Sequence, residues 1–518
     1  MRRAGPQWGV VFPLVVCSGL LAIVFMMWPR SEAPPKELVM VTREFTTKSE
    51  NIFGEPRNIF GEEPVDKMQP AFHVAPRLNW LNDPNGCEFD GETYRVAYQH
   101  NPGSPRWGDI SWGMATSSDL VSWRREPTIL TSPRPSYESL GAWSGNALDY
   151  EFYAYSCSRK DRTYGKSSAL CLATKRGERV IENPVLEAPE NTNGDWRDPA
   201  PFSIEGRTFL AIGASLRGEG LVLLVERVAR LDFRHLEDPF FRISQLLDTT
   251  DDLPTMLECP DLVRVDKKDL FALKLSIGPP KSHDVVILGK IHVNAAGNPI
   301  FRPVDQHMTK RCSSKEPTWS STNLVATLDC GNAYAGQSVK NAQENIFFAW
   351  AQDDFKRRLL YNGALTLPRI LSYSDDEGLR YRFSAALAGL RLEEIVAETS
   401  QLDIPETWAD RFELHFRVVE GSEEPVIVSL LTEKNESLLD MTLGVSDGHS
   451  LDADDCHMMS PSSKTLDLRL FVDGSLLEFD LDDGLSACAI RLYRHTLITS
   501  IRISHATHLQ AYHIGLLP

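Results

Sequence analysis

The chain reads as an all-β protein, and two patterns carry that reading. From residue 68 to about 373, short apolar runs of strand character follow one another closely between Gly, Pro, Asn and Asp turns, with no long amphipathic helix among them. Beyond about Ser384 the runs change to alternating apolar and polar residues, as half-buried antiparallel strands do. The first pattern fits a sandwich, a barrel or a propeller, and periodicity does not choose among them. The second describes a further β domain, and a length of 518 residues accommodates two or three domains with real cores.

In chain order, Val10 to Trp28 is an apolar run flanked by Arg2, Arg3 and Arg30, long enough to cross a bilayer as a helix. We read it as a signal anchor rather than a cleaved leader, because it exceeds the roughly 7–15 apolar residues of a signal peptide and no small-x-small site follows. Everything after residue 30 is then expected to be lumenal or extracellular, or secreted if the leader is cut. Residues 31–67 form a polar stalk containing a duplication, NIFGEP from Asn51 and NIFGEEP from Asn58. Cys17 lies in the apolar run, and the other eight of the nine cysteines form an even set for an oxidising compartment. Cys157 and Cys171 flank a polar connection between two β-like runs, where a hairpin disulfide is expected; Cys259 is expected to be a free, packed thiol. The sequon Asn435-Glu436-Ser437 is consistent with a secretory route. A formal charge of −17 argues against nucleic acid or an anionic membrane surface as partner and fits a neutral substrate such as a sugar.

The strand-like runs of the first part are TYRVAYQ, GDISWGMATS, EFYAYSC, ALCLATK, TFLAIGAS, LVLLVER, LFALKLSI, VVILGKI and NIFFAWAQ. Those of the second are RFELHFRVV, PVIVSLLT, LDLRLFVDG, SLLEFDLDD, ACAIRLYR and TSIRISH. The boundary is expected within residues 374–384, giving domains 68–375 and 384–518.

Three carboxylates stand apart because each is flanked by proline: Asp83 in NWLNDPNG, Asp198 in GDWRDPAPF and Glu258 in TMLECPDLVRV. Asn-Asp-Pro-Asn-Gly has the composition of a turn, in which the amides of Asn82 and Asn85 would orient the Asp83 carboxylate. The apolar neighbours of Glu258 would keep it protonated near neutral pH. No His/Cys cluster has metal-ligand spacing, and no phosphate-binding glycine loop or Ser-His-Asp context is found.

With the segment from Tyr98 to Trp123, these motifs resemble glycoside hydrolase family 32, the invertases, inulinases and levanases. That family's motifs usually read Trp-Met-Asn-Asp-Pro-Asn-Gly, Arg-Asp-Pro and Glu-Cys-Pro; here they are WLNDPNG, RDP and ECP. Leu81, Met114 and Leu257 depart from the family pattern and are expected to tune specificity. LRLFVDGSLLEFDLDDG resembles the late hairpin of the family's carboxy-terminal sandwich. The resemblance implies a five-bladed β-propeller with a funnel-shaped pocket, followed by a β-sandwich. It implies a retaining β-fructofuranosidase acting on sucrose and short fructans without a cofactor. Asp83 would be the nucleophile, Glu258 the acid/base and Asp198 the transition-state stabiliser, with Arg197 a donor fork beside Asp198. Asn82, Gln99, Trp107, Ser144 and Trp350 would line the pocket, and Asp329, Tyr334 and Gln337 match a further family segment. A fructosyltransferase on the same fold and a non-catalytic fructan-binding protein are the alternatives.

Overall fold

The computed structural model describes residues 68–514 apart from short internal stretches, the longest being 247–253, 305–310 and 313–323. The expected anchor at Val10 to Trp28 and the stalk over 31–67 lie outside the described residues. Among the described residues no helix is long and apolar enough to cross a membrane.

The first part is built of antiparallel meanders, as closely spaced strands joined by short turns favour. The first sheet runs Asn79–Phe89, Tyr94–Asn101, Ser111–Ser117, Arg124–Ile129 and is joined by a late parallel strand, Tyr361–Asn362, beside Asn79 and Trp80. The second runs Gly141–Ala147, Phe152–Asp161, Gly165–Thr174, Leu186–Glu187. The third is Trp196–Ile204, Arg207–Leu216, Glu219–Ala229, Asp232–His235, and the fourth Leu257–Arg264, Phe271–Ile277, His283–Val293, Pro299–Pro303. The fifth is Ala333–Ser338, Ile346–Ala351, Arg369–Ser374, Gly378–Phe383. Residues 374–384 therefore include the turn and second strand of the last hairpin of this sheet, and the 3-10 turn Ala385–Leu390 follows it. The first strands of the five sheets touch one another in a circuit, each with the next and the fifth with the first.

The second part is two six-stranded antiparallel sheets. Alternate residues of Arg411–Val419 and Val426–Leu431, one strand from each sheet, enter a single apolar core: Phe412, Leu414 and Phe416 with Val426, Val428 and Leu430. The two parts are joined by buried charge. His73 donates or accepts at Asp473 (2.7 Å) and Glu478 (3.0 Å), while Arg369 reaches Glu478 at 2.9 Å and every one of these side chains is fully or almost fully buried.

Asn-Asp-Pro-Asn-Gly is not a turn. It lies inside the strand Asn79–Phe89, which loses register with its partner twice, between Leu81 and Pro84 and between Asn85 and Glu88. A bulge is where a proline, lacking an N–H, and a positive-φ glycine can both sit in a strand. Gly86 has φ +52°, and a Cβ there would lie 2.8 Å from the Tyr153 ring. The expected Cys157–Cys171 disulfide is present, with Cys312–Cys330 and Cys456–Cys488, while Cys87 and Cys259 are free. Asn435 is exposed in a turn.

Candidate active site

The first strands of the five meanders converge on one cavity of about 360 Å³. Each loses register at one point beside it. The breaks fall at Leu81/Pro84, Ala142/Gly145, opposite Ala211/Gly213, at Glu258/Asp261 and at Tyr334/Gln337. A bulge re-aims a side chain. At each break a residue lines the cavity: Asp83, Ser144, Asp198, Glu258 and Tyr334. Left-handed backbone accompanies three of the breaks, at Asp198 (φ 68°), Cys259 (φ 44°) and Ala335 (φ 58°).

Asp83 accepts from four side chains, the weakest being the Cys259 thiol, 3.8 Å from Oδ2. Asn82 Nδ2 donates to Oδ1 at 2.9 Å, and Ser144 Oγ and Gln99 Nε2 donate to Oδ2 at 2.5 and 3.3 Å. Trp80 Nε1 donates to Asn82 Oδ1 at 2.6 Å, which turns the amide so that its NH₂ faces Asp83. Gln99 also donates to Ser144 Oγ at 2.6 Å. The expected second amide is absent from this set: Asn85 Oδ1 instead accepts the Gly145 amide at 3.2 Å, because the bulge carries it to the far side of the strand. Burial pushes Asp83 above its usual range despite the Ser144 and Asn82 bonds, and Glu258 adds to the rise.

Asp198 Oδ2 accepts from the Cys259 amide at 3.0 Å and lies 3.5 Å from the Cys259 thiol. Burial, opposed by Arg197 and reinforced by Glu258 and Asp83, raises Asp198 to about 7. Arg197, the donor fork expected beside Asp198, directs its guanidinium to other carboxylates. Both residues line the cavity at the register break, and the Arg197 fork meets Glu258 Oε1 at 2.7 and 3.1 Å and Asp195 at 3.0 Å. Tyr334 donates to Glu258 Oε2. Burial acts upward on Glu258 as its apolar neighbours suggested, but Arg197 and the Tyr334 hydroxyl outweigh it and hold the carboxyl below its usual range. The expectation of a protonated Glu258 is therefore corrected for the free site. The Cys259 thiol is pushed well up by burial, so it remains a thiol.

Two pairs of tryptophans form the walls: Trp80 with Trp350, edge to face at 5.6 Å, and Trp107 with Trp143 at 5.4 Å. Trp107 is 51% exposed and marks the rim. Asn82, Gln99, Trp107, Ser144, Arg197 and Trp350 all line the cavity. Asp329 and Gln337 do not. Asp329 accepts from the amides of Gly331 and Ala489, and Gln337 bridges the Cys87 amide and the Gly145 carbonyl. Leu81, Met114 and Leu257 pack in apolar cores and do not themselves line the cavity, although Leu81 shares its core with the lining residues Trp80, Trp143, Tyr334 and Trp350. Sequence reasoning missed Trp80, Trp143, Lys166 and Cys259 as lining residues. Trp80 lies inside the NWLNDPNG motif and Trp143 directly precedes the expected Ser144, so both were findable; Lys166 sits in no motif.

Three carboxylates in contrasting environments stand between flat aromatic walls, a lining that suits a sugar ring. The glycosyl hydrolases family 32 N-terminal domain matches residues 73–382, and the chain belongs to that family. A fructan 1-exohydrolase of Triticum urartu is 26% identical over 59% of this chain, a match spanning 52% of that protein's length. A sucrose-6-phosphate hydrolase of Escherichia coli is 25% identical over 82% of this chain and 89% of its own. The sucrose-6-phosphate hydrolase structure from Lactobacillus gasseri superposes with a TM-score of 0.72 at 20% identity, covering 87% of this chain and 94% of that one. The fold is thus a β-propeller followed by a β-sandwich.

Proposed function

We propose that the protein is a retaining β-fructofuranosidase that cleaves the terminal β-D-fructosyl bond of sucrose and short fructans. The observation that carries this reading is the convergence of Asp83, Asp198 and Glu258, distant in sequence, on one tryptophan-walled cavity, each with different partners. The names of the relatives, fructan 1-exohydrolase and sucrose-6-phosphate hydrolase, share a terminal fructosyl unit, which supports that unit as the group bound deepest.

In this reading Asp83, aimed by Asn82, Ser144 and Gln99, attacks the anomeric carbon and forms a fructosyl-enzyme. Glu258 protonates the leaving oxygen and then deprotonates water. Asp198 bonds fructose hydroxyls. Glu258 enters the free site ionised, so it takes up its proton as sugar hydroxyls compete for the Arg197 fork and the Tyr334 hydroxyl. Burial keeps a proton close by, since Asp198 titrates at about 7. We further propose that the five meanders are five propeller blades, a view supported by the circuit of contacts among their first strands. We place the division between domains near residues 374–384, and a secretory location, membrane-anchored or secreted, is supported by the three disulfides among the described residues.

The test is release of glucose and fructose from sucrose, inulin and levan by the expressed chain beside Asp83→Asn and Glu258→Gln. Both variants should fall by orders of magnitude while remaining folded. A parent inert on all three sugars, or variants as active as the parent, would refute the reading.

A further inference from the structure

Behind the cavity two buried charges face each other across neighbouring strands. Lys274 and Asp284 are 0% and 3% exposed, with Nζ 3.8 Å from Asp284 Oδ2, and neither lines the cavity. Lys274 Nζ donates to the Cys259 carbonyl at 2.8 Å and to Ser276 Oγ at 3.1 Å. Ser276 Oγ donates in turn to Asp284 Oδ1 at 2.7 Å. Asp284 accepts the backbone amides of Ala335 at 3.1 Å and Gly336 at 2.7 Å.

The residues these charges hold are those that make the bulges. Cys259 and Ala335 both have left-handed backbone, and each directly follows a cavity residue, Glu258 and Tyr334. A bulge strips backbone groups of their ladder partners, and a buried unpartnered carbonyl or amide is costly. One ion pair satisfies both strands: the ammonium takes the carbonyl beside Glu258, and the carboxylate takes the amides beside Tyr334. The fit is close, since a Cβ at Gly336 would lie 2.8 Å from Asp284 Oδ2. The Lys274 charge also reaches the cavity, where it pulls Asp83 downward against the larger effect of burial.

We infer that Lys274 and Asp284 are positioning residues for the proposed reaction, setting the spacing of the two strands and with it the hydrogen bond by which Tyr334 holds Glu258. This rests on the fructosidase reading. A pair that merely stabilised the fold would change the amount of folded enzyme, not its turnover.

The experiment measures kcat and KM on sucrose for the full chain, per folded molecule, with two variants. The double variant Lys274→Met/Asp284→Asn removes both charges and leaves neither orphaned. Ser276→Ala removes the hydroxyl between them without touching a charge. The double variant should lose about tenfold or more in kcat with KM within about threefold, because displacing a reacting group costs the transition state more than binding. Ser276→Ala should lose about threefold in kcat at unchanged KM. If the double variant fails to fold, Ser276→Ala decides alone. An active parent with kcat unchanged in every variant that folds overturns the inference while leaving the fructosidase reading intact. A parent inert on sucrose, inulin and levan overturns that reading and the inference with it.

Discussion

Ser144→Ala is the most exposed consequence of the geometry around Asp83. Ser144 is 3% exposed and its 2.5 Å bond is the shortest of the four that Asp83 accepts from neighbouring side chains. A buried hydrogen bond to a charged group contributes about 1.5–3 kcal/mol, so complete loss in the transition state would cost about 10- to 150-fold. Three contacts remain, from Asn82 at 2.9 Å, Gln99 at 3.3 Å and, weakly, the Cys259 thiol at 3.8 Å. Truncation also frees Gln99 Nε2 from its 2.6 Å bond to Ser144, so that it can close on Asp83 and recover part of the loss. The expected fall in kcat/KM is therefore toward the lower end, about 10- to 30-fold. The pH profile supplies a second reading. Burial raises Asp83 and the Ser144 bond lowers it, so removing that bond raises it further. A nucleophile must be ionised, and the acid limb of kcat/KM should move to higher pH. Initial rates on sucrose across the pH range measure both quantities. A variant within threefold of the parent, with its acid limb unmoved, would refute the view that Ser144 tunes Asp83.

Three further outcomes follow from the same contacts. Tyr334→Phe removes one of the influences holding Glu258 low, so the alkaline limb of kcat/KM, which reports the protonated acid, should move to higher pH; an unmoved limb would remove Tyr334 from that role. His73 is pushed down by burial but held above its ordinary 6.5 by Asp473 and Glu478, whose own carboxyls are held low. Its contribution is therefore complete below pH 6.5 and lost as pH rises through the raised folded value, while the carboxylates' contribution is lost only as pH falls through their lowered values. His73→Gln should cost about 3 kcal/mol in the acid range and progressively less as pH rises, measured by denaturant unfolding as a function of pH; a pH-independent cost would contradict the linkage. Gly86→Ala meets both a φ of +52° and the Tyr153 ring at 2.8 Å, and should lose about 2 kcal/mol of stability together with activity, because the displaced strand carries Asp83.

Much of the molecule was legible in the linear sequence because its signals are local. The alternation in RFELHFRVV and PVIVSLLT marks strands that bury one face, and both strands form. The proline-flanked acids also sit within a few covalent bonds of their motif, so Asp83, Asp198 and Glu258 could be picked out together. The Cys157–Cys171 pairing was readable because a short hairpin brings its own ends together.

What the sequence by itself determined was the all-β character, the strand segments and the three acids that stand in the cavity. Tertiary structure decided what each acid touches. Arg197 is next to Asp198 in the chain but binds Glu258, 61 residues away, because the convergence of strands brings residues distant in sequence together. The same holds for Tyr334 on Glu258 and for Ser144 on Asp83. It also holds for the bulges that turned an apparent Asn-Asp-Pro-Asn-Gly turn into a strand. Their backbone groups are satisfied by residues from other strands, such as Lys274 and Asp284, and no local pattern encodes a partner supplied by another strand. Protonation follows the partners: an apolar local context alone would have kept Glu258 neutral, and a guanidinium delivered by another strand holds it charged.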